Sequence, residues 1–150
     1  MKKRIFLPVL MCSLSLSYWA MAKSAHELQP ATQIVTLQNA QHRQTPSKKA
    51  DVRILARGEN AFMGLLEMQA GAKVPLHRDA TEEYIHILQG SGDITINGKT
   101  TKIKKGDTVY MPANAEVTFQ NGDKPLKGLQ VFAGPQPADK YLKWPMAAKK

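Results

Sequence analysis

GAKVPLHRDATEEYIHILQG, at Gly71–Gly90, is the stretch of this chain that says most about its architecture. A second stretch, GDTVYMPANAEVTFQN at Gly106–Asn121, begins sixteen residues after the first one ends. In both stretches, short runs rich in apolar and β-branched residues are bounded by glycine or proline, a pattern typical of strands joined by turns. We therefore expect both stretches to form β structure.

The same spacing continues on both sides, without a convincing amphipathic helix between the runs. Asn97-Gly98 is predicted to close a hairpin, because both central residues of that turn need positive φ. Gly71, Gly90 and Gly106 lie between apolar runs and are expected in turns. The pattern predicts an all-β sandwich or barrel. Its predicted strands are Val52–Ala56, Phe62–Met68, Tyr84–Leu88, Asp93–Ile96, Thr100–Ile103, Thr108–Met111, Glu116–Phe119 and Leu126–Phe132.

Less regular segments flank the barrel, which is predicted to occupy residues 51–134. The polar N-terminal segment, residues 23–50, contains a candidate edge strand at Ile34–Leu37 and a predicted loop at Gln41–Ala50. The C-terminal tail, residues 135–150, holds three prolines. We expect this tail to be irregular and to lie over the barrel surface.

The N-terminus has the features of a secretory signal peptide at residues 1–22. Residues 2–4 are basic, Ile5–Tyr18 is mostly apolar, and Ala20–Ala22 matches the small-x-small cleavage rule. We expect cleavage near Ala22 and a periplasmic or secreted protein. Cys12 raises a lipoprotein anchor as an alternative, which the bulky residue before it disfavours. No segment reaches the roughly 20 apolar residues of a transmembrane helix.

Charge and cysteine content restrict the classes of partner. Of the formal net charge of +9, three charges belong to residues 2–4, which leaves +6 on the predicted mature chain. The remaining cations form short clusters without interleaved aromatic residues, so we expect a solvated surface and no nucleic-acid partner. Cys12 is the single cysteine, so disulfide bonds are not expected to stabilise the mature fold.

Three residues form the strongest candidate site. His77 and Asp79 are two positions apart, so on a strand they would face the same side. Glu83, Ile85 and Ile87 share one face of the next predicted strand. An imidazole and two carboxylates directed into a barrel could bind a divalent metal. Alternatively, His77 and Glu83 form a buried hydrogen-bonded pair, with Asp79 at the solvated mouth.

Other polar and aromatic residues are weaker candidates. His86 lies on the face opposite Glu83 and is expected to pack or to lie at the surface. Gln130 would supply a side-chain oxygen if its strand faces inward. His26 and His42 are expected to be solvated. Packing roles are expected for the aromatic residues Tyr84, Phe119 and Phe132.

On these residues and spacings the chain resembles the cupin family, over about residues 60–137. Asp79 stands where the second His of that family's first motif belongs, and Val117 stands where the third His belongs. Asn114 occupies a position where glycine is common. The positions that match the two motifs are Gly71, His77, Glu83 and Gly90, and then Gly106, Pro112 and Asn121.

The resemblance implies a single jelly-roll barrel, a double-stranded β-helix, which commonly dimerises. It also implies a metal site, built in most cupins from three His and one Glu. Here that site would be eroded to His77, Asp79 and Glu83, because valine at position 117 cannot ligate. The expected metal is a divalent ion such as Mn, Fe, Ni or Zn, and the exchange of His for Asp favours the harder ions.

Two interpretations of function follow, from different classes. The first is an exported module that binds a small polar or anionic ligand through His77, Asp79, Glu83 and Val117. The alternative is a metal-dependent enzyme of dioxygenase, isomerase or lyase type that uses His77, Asp79 and Glu83. A structural role as a homodimer is a third possibility. The sequence shows no nucleophile elbow, phosphate loop or mature cysteine nucleophile.

Overall fold

The computed structural model describes residues 32–148, which form two antiparallel sheets followed by a short C-terminal helix. The predicted signal peptide, Cys12 and His26 therefore lie outside the described residues. The strands are β1 (Gln41–Gln44), β2 (Ala50–Arg57), β3 (Phe62–Met68), β4 (Lys73–His77), β5 (Glu83–Gln89), β6 (Ser91–Ile96), β7 (Lys99–Lys104), β8 (Thr108–Met111), β9 (Val117–Asn121) and β10 (Leu126–Phe132).

The two sheets have the order β1-β2-β3-β10-β5-β8 and β4-β9-β6-β7. Every paired strand within them runs antiparallel. Strand β10 lies between β3 and β5, so the last strand of the chain fills the middle of the larger sheet. This arrangement confirms the predicted all-β jelly-roll fold.

Alternation along the strands explains why each sheet turns one face toward the barrel interior. In β10, Leu126, Gly128, Gln130 and Phe132 are buried, and the residues between them are partly exposed. In β5, Glu83 and Ile87 are buried, whereas Tyr84, His86 and Leu88 lie on the exposed face. Strands with one apolar face bury it against a second sheet, which is the arrangement seen here.

The turn residues have the backbone geometry that the sequence requires. Asn97 and Gly98 have φ of 48° and 81° and join β6 to β7, which confirms the predicted hairpin. Gly71, Gly90 and Gly106 also have positive φ and lie between strands. At Gly90 a Cβ atom would lie 2.6 Å from a backbone carbonyl oxygen, so only glycine allows β5 to pass directly into β6.

The C-terminal tail departs from its predicted irregular form. It makes a 3₁₀ turn at Gln136–Ala138 and a short helix, α1, at Asp139–Leu142. Tyr141 from α1 is 3% exposed and packs with Phe62 and Phe132 in a second core cluster beside the barrel interior. The tail is ordered because it buries aromatic surface, which a count of prolines does not reveal.

Four local details differ from the prediction. Ile34–Leu37 is an exposed segment leading into a turn rather than an edge strand. The segment predicted as a loop at Gln41–Ala50 contains β1, and β4 was not among the predicted strands. The sequence of β1, QHRQ, lacks apolar alternation and becomes a strand by pairing with β2, a tertiary effect. His42 is half-buried rather than solvated, with its Nε2 2.8 Å from Oδ1 of Asp51.

Within residues 32–148, no helix has both the length and the apolar character needed to cross a membrane.

Candidate functional site

A cavity of about 500 Å³ lies inside the barrel. Much of its wall is apolar and comes from both sheets, including Leu66, Ile85, Ile94, Val117 and Phe119. Six polar residues of its lining lie next to one another, and we call them the polar cluster: His77, Asp79, Glu83, Gln130, Lys140 and Tyr141. An apolar chamber with grouped polar side chains is the usual form of a small-molecule site.

Three predicted site residues converge in this cluster. His77 ends β4, Asp79 lies in the loop that follows, and Glu83 begins β5. One ligand atom from each of the three lies within 4.8 Å of the others. Asp79 is not on a strand, so the loop, rather than strand alternation, brings it beside His77. Val117 on β9 is the register partner of His77 and is 6% exposed.

The ring of His77 is oriented by its own strand. Its Nδ1 lies 3.0 Å from the carbonyl oxygen of Pro75. A carbonyl oxygen only accepts hydrogen bonds, so Nδ1 carries the proton and donates it. In the neutral ring Nε2 is then the nitrogen that can accept a proton or bind a metal. This nitrogen lies 3.7 Å from Oδ2 of Asp79.

Glu83 is the buried carboxyl of the cluster, at 4% exposure. The side-chain amide of Gln130 donates to its Oε1, and the hydroxyl of Tyr141 donates to Oε1 of Gln130 at 2.6 Å. Glu83 is therefore paired with Gln130 and not with His77, contrary to the alternative buried His–Glu pair. The side-chain oxygen of Gln130, which was a candidate ligand, accepts the bond from Tyr141.

Burial raises the pKa of Glu83 to about 7. Desolvation is the largest cause; the hydrogen bond from Gln130 and the charge of Lys140 lower the pKa, and the charge of Asp79 raises it. Burial also raises the pKa of Tyr141 well above its ordinary value, so its hydroxyl remains a neutral donor. A carboxyl with a pKa near neutrality can both donate and accept a proton under physiological conditions.

Besides Tyr141, the residue of the polar cluster that the sequence interpretation missed is Lys140. Its Nζ lies 2.8 Å from Oδ2 of Asp79 and 4.9 Å from the ring centre of Phe132. The lysine belongs to α1, sixty-one residues after Asp79. No motif marks it, because its position depends on how the tail folds back onto the barrel. The aromatic residues Tyr141 and Trp144 near the C-terminus were the available signal that the tail packs.

The donor set fits a divalent ion in its chemistry. One imidazole nitrogen and two carboxylate groups suit ions of the Mn, Fe or Zn type. The ammonium of Lys140 already balances the charge of Asp79, so a metal would compete with this cation for Oδ2 of Asp79. Three protein ligands, rather than the four that the resemblance implies for most cupins, are available, because Val117 occupies the remaining position.

His86 and an aromatic pair lie away from this cluster. Nδ1 of His86 is 2.8 Å from the hydroxyl oxygen of Thr108 on the exposed face, which agrees with the predicted surface position. Tyr84 and Tyr110 pack on the same face, and both hydroxyls donate to the carboxylate of Glu82. These residues do not line the cavity.

Comparison with known proteins gives relatives that match about half of this chain. The chain is 41% identical over 76 residues to a protein of Methanocaldococcus jannaschii, a match that covers 45% of this chain and 61% of that protein. It is 31% identical over 78 residues to dimethylsulfoniopropionate lyase of Ruegeria pomeroyi, covering 52% of this chain and 51% of the lyase. The chain thus spans less than two thirds of either relative.

The fold is shared with solved structures. A predicted oxalate decarboxylase of Thermotoga maritima superposes with a TM-score of 0.60 at 23% identity, over 68% of this chain and 99% of that one. At that identity the similarity shows the fold alone. The family model described as the cupin domain matches residues 64–132, which contain both motifs and the His77–Asp79–Glu83 group. The chain belongs to the cupin family, whose fold often holds divalent metals and whose members include enzymes.

Proposed function

We propose that this protein binds a small molecule with an apolar body and a polar or anionic head inside the barrel. The observation that carries the proposal is the cavity of about 500 Å³, whose largely apolar wall meets the polar cluster. A ligand of this type would bury its body against the wall and satisfy the cluster with its head.

Residues of the polar cluster and of the apolar wall would contact different parts of the ligand. The ammonium of Lys140 attracts an anionic head. Glu83, with its raised pKa, donates a hydrogen bond when protonated. Ile85 and Val117 form part of the apolar wall. Asp79 restricts the head group, because an anion must share Lys140 with this carboxylate.

The test is a binding screen on the full chain. A panel of mono- and dicarboxylates of increasing chain length is followed by thermal shift, and hits are measured by calorimetry. We expect Lys140→Met to weaken a carboxylate hit by at least about tenfold, since it removes a charge-assisted contact. Lys124→Met, at an exposed turn, is the matched control and should leave affinity unchanged. Equal affinity for the two variants would contradict this proposal.

A second candidate function is a metal-dependent enzyme, of dioxygenase, isomerase or lyase type. The observation in its favour is the approach of three ligand atoms within 4.8 Å, with Nε2 of His77 available to bind. A bound divalent ion would supply Lewis-acid or redox chemistry. His77, Asp79 and Glu83 would hold it, and Glu83 would exchange a proton with substrate near neutral pH. The relative named as a lyase favours the lyase type.

Direct metal binding tests this second candidate. Val117→His adds an imidazole beside His77 and should tighten the binding of Zn²⁺ or Ni²⁺, whereas Glu83→Ala should abolish it. Val131→His, on the outward side of β10, is the control and should have no effect. If calorimetry finds zinc uptake unaltered by both site variants, the metal-dependent candidate fails.

We propose in addition that the protein is exported, because residues 1–22 have the composition of a signal peptide. Mass spectrometry of the protein from its native host should find an N-terminus at or near Lys23. Retention of Met1, or a lipid on Cys12, would show that this proposal is wrong.

A homodimer is the assembly that we propose, on the basis of the family resemblance. Sedimentation velocity of the full chain would measure its mass in solution. A monomer at concentrations of tens of micromolar would contradict the proposal.

A further inference from the structure

The C-terminal segment Gln136–Trp144, which we call the tail segment, places a positive charge on the acidic part of the cluster. Nζ of Lys140 lies 2.8 Å from Oδ2 of Asp79. The same ammonium lies 4.9 Å from the ring centre of Phe132, within the range of a cation–π contact. The Lys140 side chain is 38% exposed, so it reaches the cluster from the solvent side.

A buried aromatic residue holds the tail segment from the other side. Tyr141 is buried and its hydroxyl donates to Gln130. Trp144 packs edge-on against Tyr141, with ring centres 4.9 Å apart, and both residues line the cavity. The main chain of Trp144 accepts a hydrogen bond from the guanidinium of Arg43. The segment is thus held by apolar contacts, by hydrogen bonds and by two ion pairs, Arg57 with Asp139 and Lys140 with Asp79. Of the two ion pairs, the one made by Lys140 involves the polar cluster.

The ion pair between Lys140 and Asp79 uses the carboxylate oxygen that a metal would need. Oδ2 of Asp79 faces both Nζ of Lys140, at 2.8 Å, and Nε2 of His77, at 3.7 Å. A divalent ion bound by His77 and this oxygen would lie next to the ammonium and repel it. Because Lys140 is partly exposed, its flexible stem can move the ammonium into water at modest cost.

We propose that Lys140 is the built-in counter-cation of the His77–Asp79–Glu83 group. A divalent metal ion that binds this group displaces the ammonium from Asp79 and loosens the tail segment beside the cavity. This proposal rests on the metal-binding candidate described above and adds a mode of regulation to it. In the metal-free protein the lysine neutralises the carboxylate and adds one of the contacts that hold the segment. In the metal-bound protein this contact is lost and the cavity becomes more accessible from that side.

The experiment uses the full chain with Trp19→Phe, which leaves Trp144 as the single tryptophan. Zn²⁺ is titrated by calorimetry, and Trp144 accessibility is followed by acrylamide quenching. We expect zinc to increase quenching of Trp144. Lys140→Met should tighten zinc binding by about tenfold or more, because it removes the competing cation. Lys143→Met, an exposed lysine just beyond α1, is the matched control and should bind zinc like the parent.

A second variant covers the case in which Lys140→Met fails to fold. Lys140→Arg keeps the positive charge and should leave the zinc affinity within about threefold of the parent. Parent protein that binds zinc through Glu83, together with a Lys140→Met variant of equal affinity, would overturn the proposal. So would zinc binding that leaves Trp144 quenching unchanged. If Glu83→Ala does not reduce zinc binding in the parent or in the Lys140 variants, the metal candidate itself fails. That result is distinguishable from a failure of the present proposal alone.

Discussion

Replacing Glu83 by glutamine should change how the stability of the protein depends on pH. Burial raises the pKa of this carboxyl from 4.5 to about 7. Between these two values the folded protein keeps a proton that the unfolded chain has released. Stability from this group is therefore fully present below pH 4.5 and is lost as pH rises to about 7. Glutamine does not ionise, so the variant does not lose this part of its free energy of unfolding as pH rises.

The magnitude follows from the size of the shift. Each pKa unit corresponds to about 1.4 kcal/mol, so from about pH 5 to about pH 8 the parent should lose roughly 2 to 3 kcal/mol relative to Glu83→Gln. For a domain of this size that difference moves the melting temperature by on the order of 10 °C. The introduced glutamine keeps an acceptor for the amide of Gln130, so the substitution removes the charge without removing the hydrogen bond.

Urea unfolding of both proteins, followed by circular dichroism with a chelator present, measures this effect. The relevant quantity is the difference in free energy of unfolding between variant and parent at each pH. Titrations common to both proteins largely cancel from it. Glu59→Gln, in the exposed bend between β2 and β3, is the control and should show no dependence on pH. A difference that is the same at both pH values would refute the reasoning.

Two further predictions concern packing. Tyr141→Phe leaves the buried oxygen of Gln130 without its donor and should cost about 1–3 kcal/mol in urea unfolding; an unchanged midpoint would contradict the described contact. Gly92→Ala places a Cβ 2.3 Å from the ring of Phe119 and 2.6 Å from a backbone oxygen, and should cost about 2–4 kcal/mol. Gly58→Ala, whose Cβ would meet nothing closer than 3.9 Å, should melt like the parent.

Much of the fold could be predicted because it is encoded locally. The alternation in β5 and β10 determines which side chains face inward, and Asn97-Gly98 specifies the turn that joins β6 to β7. In both cases the physical cause is a period or a backbone preference that lies within a few residues of sequence. The approach of His77 to Glu83 was instead expected from the resemblance of the first motif to the cupin family.

Strand β1 and the tail segment could not be predicted, because their structure depends on distant partners. The polar sequence of β1 becomes a strand only against the edge that β2 presents. The tail folds back because Tyr141 packs against aromatic residues of β3 and β10, two strands that are far apart in the chain. Local secondary-structure propensity does not predict such a long-range contact.

Short-range patterns in the amino-acid chain were sufficient to establish the all-β class and the turn glycines, and the resemblance to the cupin family added the jelly-roll barrel and the approach of His77 to Glu83. The electrostatics of the site, in contrast, arise only in the folded molecule. Folding places Lys140 on Asp79, so the charge of this carboxylate is neutralised, and it buries Glu83, so desolvation raises the pKa of that carboxyl. The reason is that charge interaction and desolvation depend on distances through space, which bring together residues such as Asp79 and Lys140 that are 61 positions apart in the chain.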